Sequence, residues 1–262
     1  MMRFCPIASG SSGNCVYVGT DTTHLLVDAG LSGKSIEAAL GHIPRLDNLS
    51  GILLTHEHSD HVAGAGVVAR RYKLPIYATP NTWRFLLRHN TIGNIPEGFR
   101  KVVIPGEPFA IGDMEVTAFN VPHDASEPVG YYMVGSGYKA AVATDMGYVT
   151  DTVRTLLKNV NVLLIESNHD IEMLQNGPYP ARLKERVMGP RGHLSNVAAG
   201  ALLADIVSDN TKHIFLGHLS ESNNRPLIAL DTVKNILAAN DMEVKAISVA
   251  DRHEISEMVE LK

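Results

Sequence analysis

Short apolar runs alternate with longer amphipathic stretches along the chain, and most runs end at glycine, proline or a polar residue. Runs of this length, bounded by turn-forming residues, predict strands; apolar residues recurring every three or four positions predict helices. Strands are expected at 3–7, 14–19, 24–28, 51–54, 75–79 and 101–104, as pairs near 109–120 and 129–143, and at 162–166, 214–216 and 245–249. Helices are expected at 34–40, 62–72, 82–90, 150–158, 181–188, 196–207 and 225–239. Strands interleaved with helices place the chain among the α/β folds. No low-complexity linker interrupts the 262 residues, and a single domain over 1–262 is expected.

The densest chemistry follows the run Gly51-Ile52-Leu53-Leu54, in Thr55-His56-Glu57-His58-Ser59-Asp60-His61. Imidazole nitrogens and carboxylate oxygens are the donors that zinc and similar divalent ions prefer. His56 and His58 are two apart, so in extended chain they project to one side and can share an ion. Asp60 and His61 lie beyond the bend and face a different point, which suits a second ion. Asp60 as a plain helix cap among polar loop histidines is the alternative. Three histidines and a carboxylate within six residues outweigh it, and a metal site is expected.

This HxHxDH pattern resembles the signature of the metallo-β-lactamase superfamily. The resemblance implies an α/β fold, a four-layer αβ/βα sandwich with helices outside two facing sheets and metals at one edge. It also implies a histidine after a middle strand, a bridging acid and a late histidine; His123, Asp145 and His218 follow strands in that order. By the same resemblance His56, His58 and His123 hold one ion, Asp60, His61 and His218 the other, and Asp145 bridges them. The resemblance also implies that Asp28, at the end of Leu25-Leu26-Val27, supports the ligands without binding metal; an Asp opening the Asp-Ala-Gly turn is the alternative. The implied cofactors are two divalent ions, zinc or manganese, with iron acceptable to the same donors. A hydroxide held between two ions about 3.5–4 Å apart is a strong nucleophile at neutral pH.

Aspartate at 145, where antibiotic-degrading members usually carry cysteine, argues against a β-lactamase. The interval from Asp145 to His218 is too short for the inserted domain of the β-CASP nucleases or the arm of transfer-RNA processing enzymes. Two segments still resemble the processing enzymes: Glu166-Ser167-Asn168-His169-Asp170, and Gly192-His193-Leu194-Ser195-Asn196. The resemblance makes Glu166 and His193 a hydrogen-bonded pair that protonates the leaving oxygen, so Asp60, Glu166 and His193 are the catalytic candidates. The residues alone equally fit a strand end and a helix start. Ala8-Ser9-Gly10-Ser11-Ser12-Gly13-Asn14-Cys15 brings the match closer to the YycJ/WalJ branch, which implies a cytoplasmic phosphodiesterase degrading DNA from 5′ to 3′. Ser9, Ser11, Ser12 and Asn14 are then candidate substrate contacts, with Asn168, Arg191 and Arg225.

The formal net charge of −5 is opposite to that of a typical DNA binder. A nuclease needs only a local strip, and Arg182, Lys184, Arg186 and Arg191 precede His193, with Arg225 after His218. A solvated helix face is the alternative for that strip. Arg70-Arg71-Tyr72-Lys73 reads as a helix end where cations suit the dipole. Two cysteines, Cys5 and Cys15, fit buried reduced thiols. The amino terminus shows no apolar secretory segment, so a cytoplasmic location without a membrane partner is expected. His24, His42, His89, His213 and His253 read as surface or capping residues, and Trp83 as packing. The partner is nucleic acid, most simply DNA. Hydrolysis of small thioesters or lactones is the alternative activity, and a non-catalytic metalloprotein the third reading. Oligomeric state is not legible.

Overall fold

The amino-terminal apolar runs form three antiparallel strands, β1 (Met2–Ala8), β2 (Cys15–Gly19) and β3 (His24–Val27), in the computed structural model, which describes residues 1–44 and 48–262. Helix α1 (Gly33–Leu40), capped by the Ser32 hydroxyl accepting from Ser35 N–H, crosses over to β4 (Gly51–Leu53), parallel to β3. Every residue of β3 and β4 is buried, the mark of strands covered on both faces. Then come α2 (Ser59–Val62), α3 (Ala65–Tyr72), β5 (Ile76–Ala78), α4 (Pro80–Arg88) and β6 (Arg100–Val102), with β4, β5 and β6 parallel. Strands β7 (Pro108–Ile111), β8 (Met114–Asn120) and β9 (Val129–Gly135) form an antiparallel meander.

The chain divides into two compact units. Those elements lie in the first, which comprises 1–120, 125–138 and 251–262; the second comprises 121–124 and 139–250. In the second unit β10 (Tyr138–Ala143, its first residue in unit 1), α5 (Asp151–Leu157), β11 (Val162–Glu166), α6 (Ile171–Asn176), α7 (Ala181–Met188), α8 (Asn196–Ile206), β12 (His213–Gly217), α9 (Pro226–Ala239) and β13 (Ile247–Val249) follow. Its four strands are parallel in the order β10-β11-β12-β13. Such an arrangement gathers the carboxyl ends of the strands at one edge, where ligands are expected. The final strand, β14 (Val259–Leu261), returns to the first unit and pairs antiparallel with β1.

Most expected elements are found within a residue or two. The expected helix 62–72 is instead two helices broken at Gly64, whose added Cβ would lie 2.2 Å from the Leu31 carbonyl oxygen. Helix α6 and strand β14 were not expected: the first is six residues long, and the second is defined only by pairing with β1. His24 is corrected from surface to core: it is buried, with Nδ1 2.7 Å from the Tyr17 hydroxyl. His213 is half-buried, its Nε2 2.8 Å from the Ser248 hydroxyl. Trp83 packs in the core, its indole N–H donating to the Lys101 carbonyl at 2.9 Å. Both cysteines are free and buried. The cations closing α3 are used structurally: Arg70 donates to the Ile92 carbonyl at 2.7 Å and Arg71 pairs with Glu37.

Candidate metal centre

In the first unit the site hangs from the ends of β3 and β4. Asp28 follows β3 in left-handed backbone (φ 61°), a conformation that Asp tolerates better than most side chains. Its buried carboxylate accepts from Thr55 N–H at 2.8 Å, Thr55 hydroxyl at 2.9 Å and His61 Nδ1 at 2.7 Å. Burial outweighs these partners and raises the carboxyl above its usual range. Because the Thr55 hydroxyl donates to Asp28, it accepts from His56 Nδ1 at 3.0 Å. The network therefore leaves Nε2 of both His56 and His61 as lone-pair donors.

His56 Nε2 lies 3.0 Å from His58 Nδ1. Two ligands each about 2.0–2.1 Å from a tetrahedral ion sit roughly 3.3 Å apart, so this pair fits one cation. His61 Nε2 faces Asp60 Oδ2 at 3.3 Å. Asp60 lies in the first turn of α2 rather than capping it, since His58 occupies the cap. Glu57 went unnoticed in the sequence, yet strand alternation turns it away from its two histidine neighbours. Its Oε1 accepts from Ser126 N–H at 2.8 Å and Ser126 hydroxyl at 2.6 Å, bracing the loop from behind.

In the second unit Asp145, Glu166 and His218 emerge at the carboxyl ends of β10, β11 and β12. Asp145 (φ 59°) and His218 (φ 54°) are again left-handed. Donor atoms of Asp145, Glu166, His193 and His218 lie within 4.8 Å of one another. Asp145 Oδ1 is 3.8 Å from His123 Nε2 and 3.5 Å from His218 Nε2, a carboxylate oxygen set between two imidazoles. His123 Nδ1 donates to the Gly192 carbonyl at 3.2 Å, which turns Nε2 toward Asp145. Burial, partly countered by Asp145, lowers the His123 pKa and favours the neutral ring that metals bind.

Glu166 is fully buried and four donors surround it. Oε1 accepts from Nδ1 of His193 at 2.7 Å and of His218 at 3.0 Å. Oε2 accepts from the N–H groups of Met146 at 2.8 Å and Leu194 at 3.0 Å. Burial opposes its charge but is overcome by His193, and the carboxyl is held well below its usual range. For His193, burial is likewise outweighed by Glu166, and the imidazole pKa is raised. The expected Glu166–His193 pair is therefore present. His169 is buried nearby in sequence, and burial pushes its pKa down to about 4, so the ring is neutral at physiological pH.

The expected substrate contacts divide. Ser11 and Ser12 are exposed at the loop tip; Ser9 is buried, its N–H on the Asp251 carbonyl at 2.9 Å. Asn14 turns inward, its amide bonding Gly10 twice and reaching Asp60 Oδ2 at 3.3 Å and His61 Nε2 at 3.1 Å. It braces the metal motif rather than standing open to solvent. Asn168 is also corrected: it is buried, and its amide donates to the His218 carbonyl at 2.8 Å. In the basic strip Arg186 pairs with Asp124 at 2.6 Å, Lys184 donates to the Gln175 carbonyl at 2.7 Å, and Arg225 donates to the Glu221 and Asn224 carbonyls. Arg182 and Arg191 are exposed.

In each unit, imidazoles oriented through Nδ1 stand with carboxylates at strand ends, the donor types that divalent metals take. The comparisons agree. A family profile described as the beta-lactamase superfamily domain matches residues 23–218. Exodeoxyribonuclease YycJ of Bacillus anthracis is 44% identical over 97% of this chain and 94% of its own. Exodeoxyribonuclease WalJ of Streptococcus pneumoniae is 40% identical over 92% of this chain and 90% of its own. The metallo-beta-lactamase fold protein YhfI of Bacillus subtilis superposes with a TM-score of 0.72 at 16% identity, over 97% of this chain and 98% of that one. The chain belongs to the metallo-β-lactamase superfamily, in its YycJ/WalJ branch. Its fold is the α/β sandwich of that superfamily, and it is a metal-dependent hydrolase.

Proposed function

We propose that the chain is a dinuclear metal phosphodiesterase that degrades DNA from the 5′ end. The reading rests on the family, on relatives named exodeoxyribonucleases, and above all on the Glu166 carboxylate oxygen shared by His193 and His218. By the family resemblance, His56, His58, Asp60, His61, His123, Asp145 and His218 would hold the two ions. When bound, two such ions supply an activated hydroxide and stabilise charge building on phosphorus. The protein's own groups do the rest. Asp28 and Thr55 hold the rings of His61 and His56, and the Gly192 carbonyl holds that of His123. Glu166 holds Nδ1 of His193, so Nε2 is the atom assigned to protonate the leaving oxygen. Nucleic acid is the partner under this reading.

The test is degradation of end-labelled, 5′-phosphorylated duplex DNA by protein loaded with Mn²⁺ or Zn²⁺. A product ladder that disappears with Asp145→Ala supports a metal-dependent nuclease and reads its polarity. His193→Ala should lower kcat while leaving metal content intact. No cleavage with either metal would overturn the DNA reading.

A further inference from the structure

Residues 70–101 hold seven Lys or Arg and one Glu, in a chain whose formal net charge is −5. Several of these cations are committed to the fold: Arg70 to the Ile92 carbonyl, Arg71 to Glu37, and Arg100 to the Ile95 carbonyl. Arg84 and Arg88 are different. Both are exposed, one turn apart on α4, and residues 80–89 contain no acid to pair with them. A merely solvated helix face normally mixes both signs at this spacing, because like charges four residues apart repel.

The two arginines line an open cleft of about 360 Å³ with Asn81, Phe85, His89 and Ser126. Arg84 donates to Asn81 Oδ1 at 2.7 Å, which orients its guanidinium. Arg88 makes no ion pair or side-chain hydrogen bond among the described residues. Phe85 is half-buried, and its ring centroid lies 4.4 Å from that of His89, giving the cleft an aromatic wall. The neighbouring carboxylate, Glu127, accepts from Asn81 N–H at 2.9 Å. Ser126 connects the cleft to the metal motif: its N–H and hydroxyl both donate to Glu57, which stands between His56 and His58.

We propose that this cleft is a DNA subsite in which Arg84 and Arg88 bind neighbouring phosphates, while Phe85 and His89 offer ring faces to a base. The proposal rests on the DNA reading above and adds a surface to it. Guanidinium forks suit phosphate oxygens, and arginines with stacking aromatics are the usual equipment for gripping a strand end. Through Ser126 and Glu57 the cleft borders the back of the His56–His58 loop, so the phosphates it holds belong to a stretch of strand away from the reacting one. Affinity, rather than the chemical step, is what the cleft supplies.

The experiment compares metal-loaded wild type with an Arg84→Ala/Arg88→Ala variant. The probe is a labelled, phosphorothioate-protected duplex with a short single-stranded end, titrated between about 50 and 200 mM salt. Loss of two phosphate contacts lowers the slope of log Kd against log salt by about 1.4–1.8. The expected Kd rises about tenfold or more at the low-salt end, and Arg84→Lys/Arg88→Lys recovers most of the slope. Hydrolysis of bis(p-nitrophenyl) phosphate, too small to span both arginines, stays at the wild-type rate, which also reports an intact fold and metal centre. An unchanged Kd and slope, with wild type still degrading DNA, would overturn the cleft alone. If wild type hydrolyses the small diester but binds no DNA, the DNA reading falls and the cleft assignment falls with it.

Discussion

Replacing Glu166 by Gln tests the hydrogen-bond logic of the site most directly. The two carboxylate oxygens accept four hydrogen bonds, two from imidazole Nδ1 atoms and two from backbone N–H groups, with no exposure to water. A glutamine keeps one acceptor oxygen and turns the other into a donor. If the amide nitrogen faces Met146 and Leu194, two backbone donors lose their acceptor and meet another donor. At about 1.5–3 kcal/mol for each bond to a charged group, the loss is about 3–6 kcal/mol. That is a large share of the roughly 5–15 kcal/mol by which domains are stable. If the nitrogen faces the histidines, His193 and His218 must accept at Nδ1 and carry their protons on Nε2. The fold then survives, but His218 has no lone pair at Nε2 for metal. Urea unfolding of metal-free protein and metal content by mass spectrometry separate the two arrangements. A variant within about 1 kcal/mol of wild type that also keeps full metal content would refute the argument, since one of the two losses is unavoidable.

Three further outcomes follow from the same geometry. Asp28→Asn leaves one acceptor oxygen for the three donors of Thr55 and His61, so the His61 ring is held less firmly, and metal affinity measured by competition with a chelator should fall about 10–100-fold. Gly30→Ala places a Cβ 1.7 Å from the Asp60 carbonyl oxygen and 2.8 Å from Asn14 N, so the loop under the metal motif must move. We expect more than about 3 kcal/mol lost in urea unfolding; a near-neutral result would show that this packing yields easily. Burial pushes the Cys5 thiol up to about 12 and raises Cys15 as well, so native protein should react with Ellman's reagent only as fast as it unfolds. Rapid labelling of either thiol in native buffer would contradict their burial.

The candidate metal ligands stand out in the sequence because they obey local rules. The cluster at 55–61 is dense enough to read alone, and Asp145, Glu166 and His218 stand where apolar runs stop, which is where strands end. Roles that depend on the far side of a loop were not legible. Asn14 and Asn168 are expected as substrate contacts, but each side-chain amide donates to a main-chain carbonyl 46 or 50 residues away. Glu57 was hidden between two better-known neighbours, and its partner Ser126 lies 69 residues on. The cations of α4 are inconspicuous for another reason: they are only two in a chain of net charge −5, and the basic residues from 182 to 191 form a denser run. Arg186 and Lys184 in that run turn out to be tied to local acceptors.

Backbone strain adds an argument that no sequence pattern carries. Asp28, Asp145 and His218 all adopt positive φ, each within two residues of the end of its strand. Each such residue costs about 1–3 kcal/mol and persists only where its surroundings over-determine it. The surroundings are on hand: Asp28 is pinned by Thr55 and His61, and His218 by Glu166 on its ring and Asn168 on its carbonyl. Glycine would relieve the strain at all three positions but supplies no carboxylate or imidazole. Aspartate and histidine stand there because the sharp turn out of the strand and the donor atom are needed at the same place.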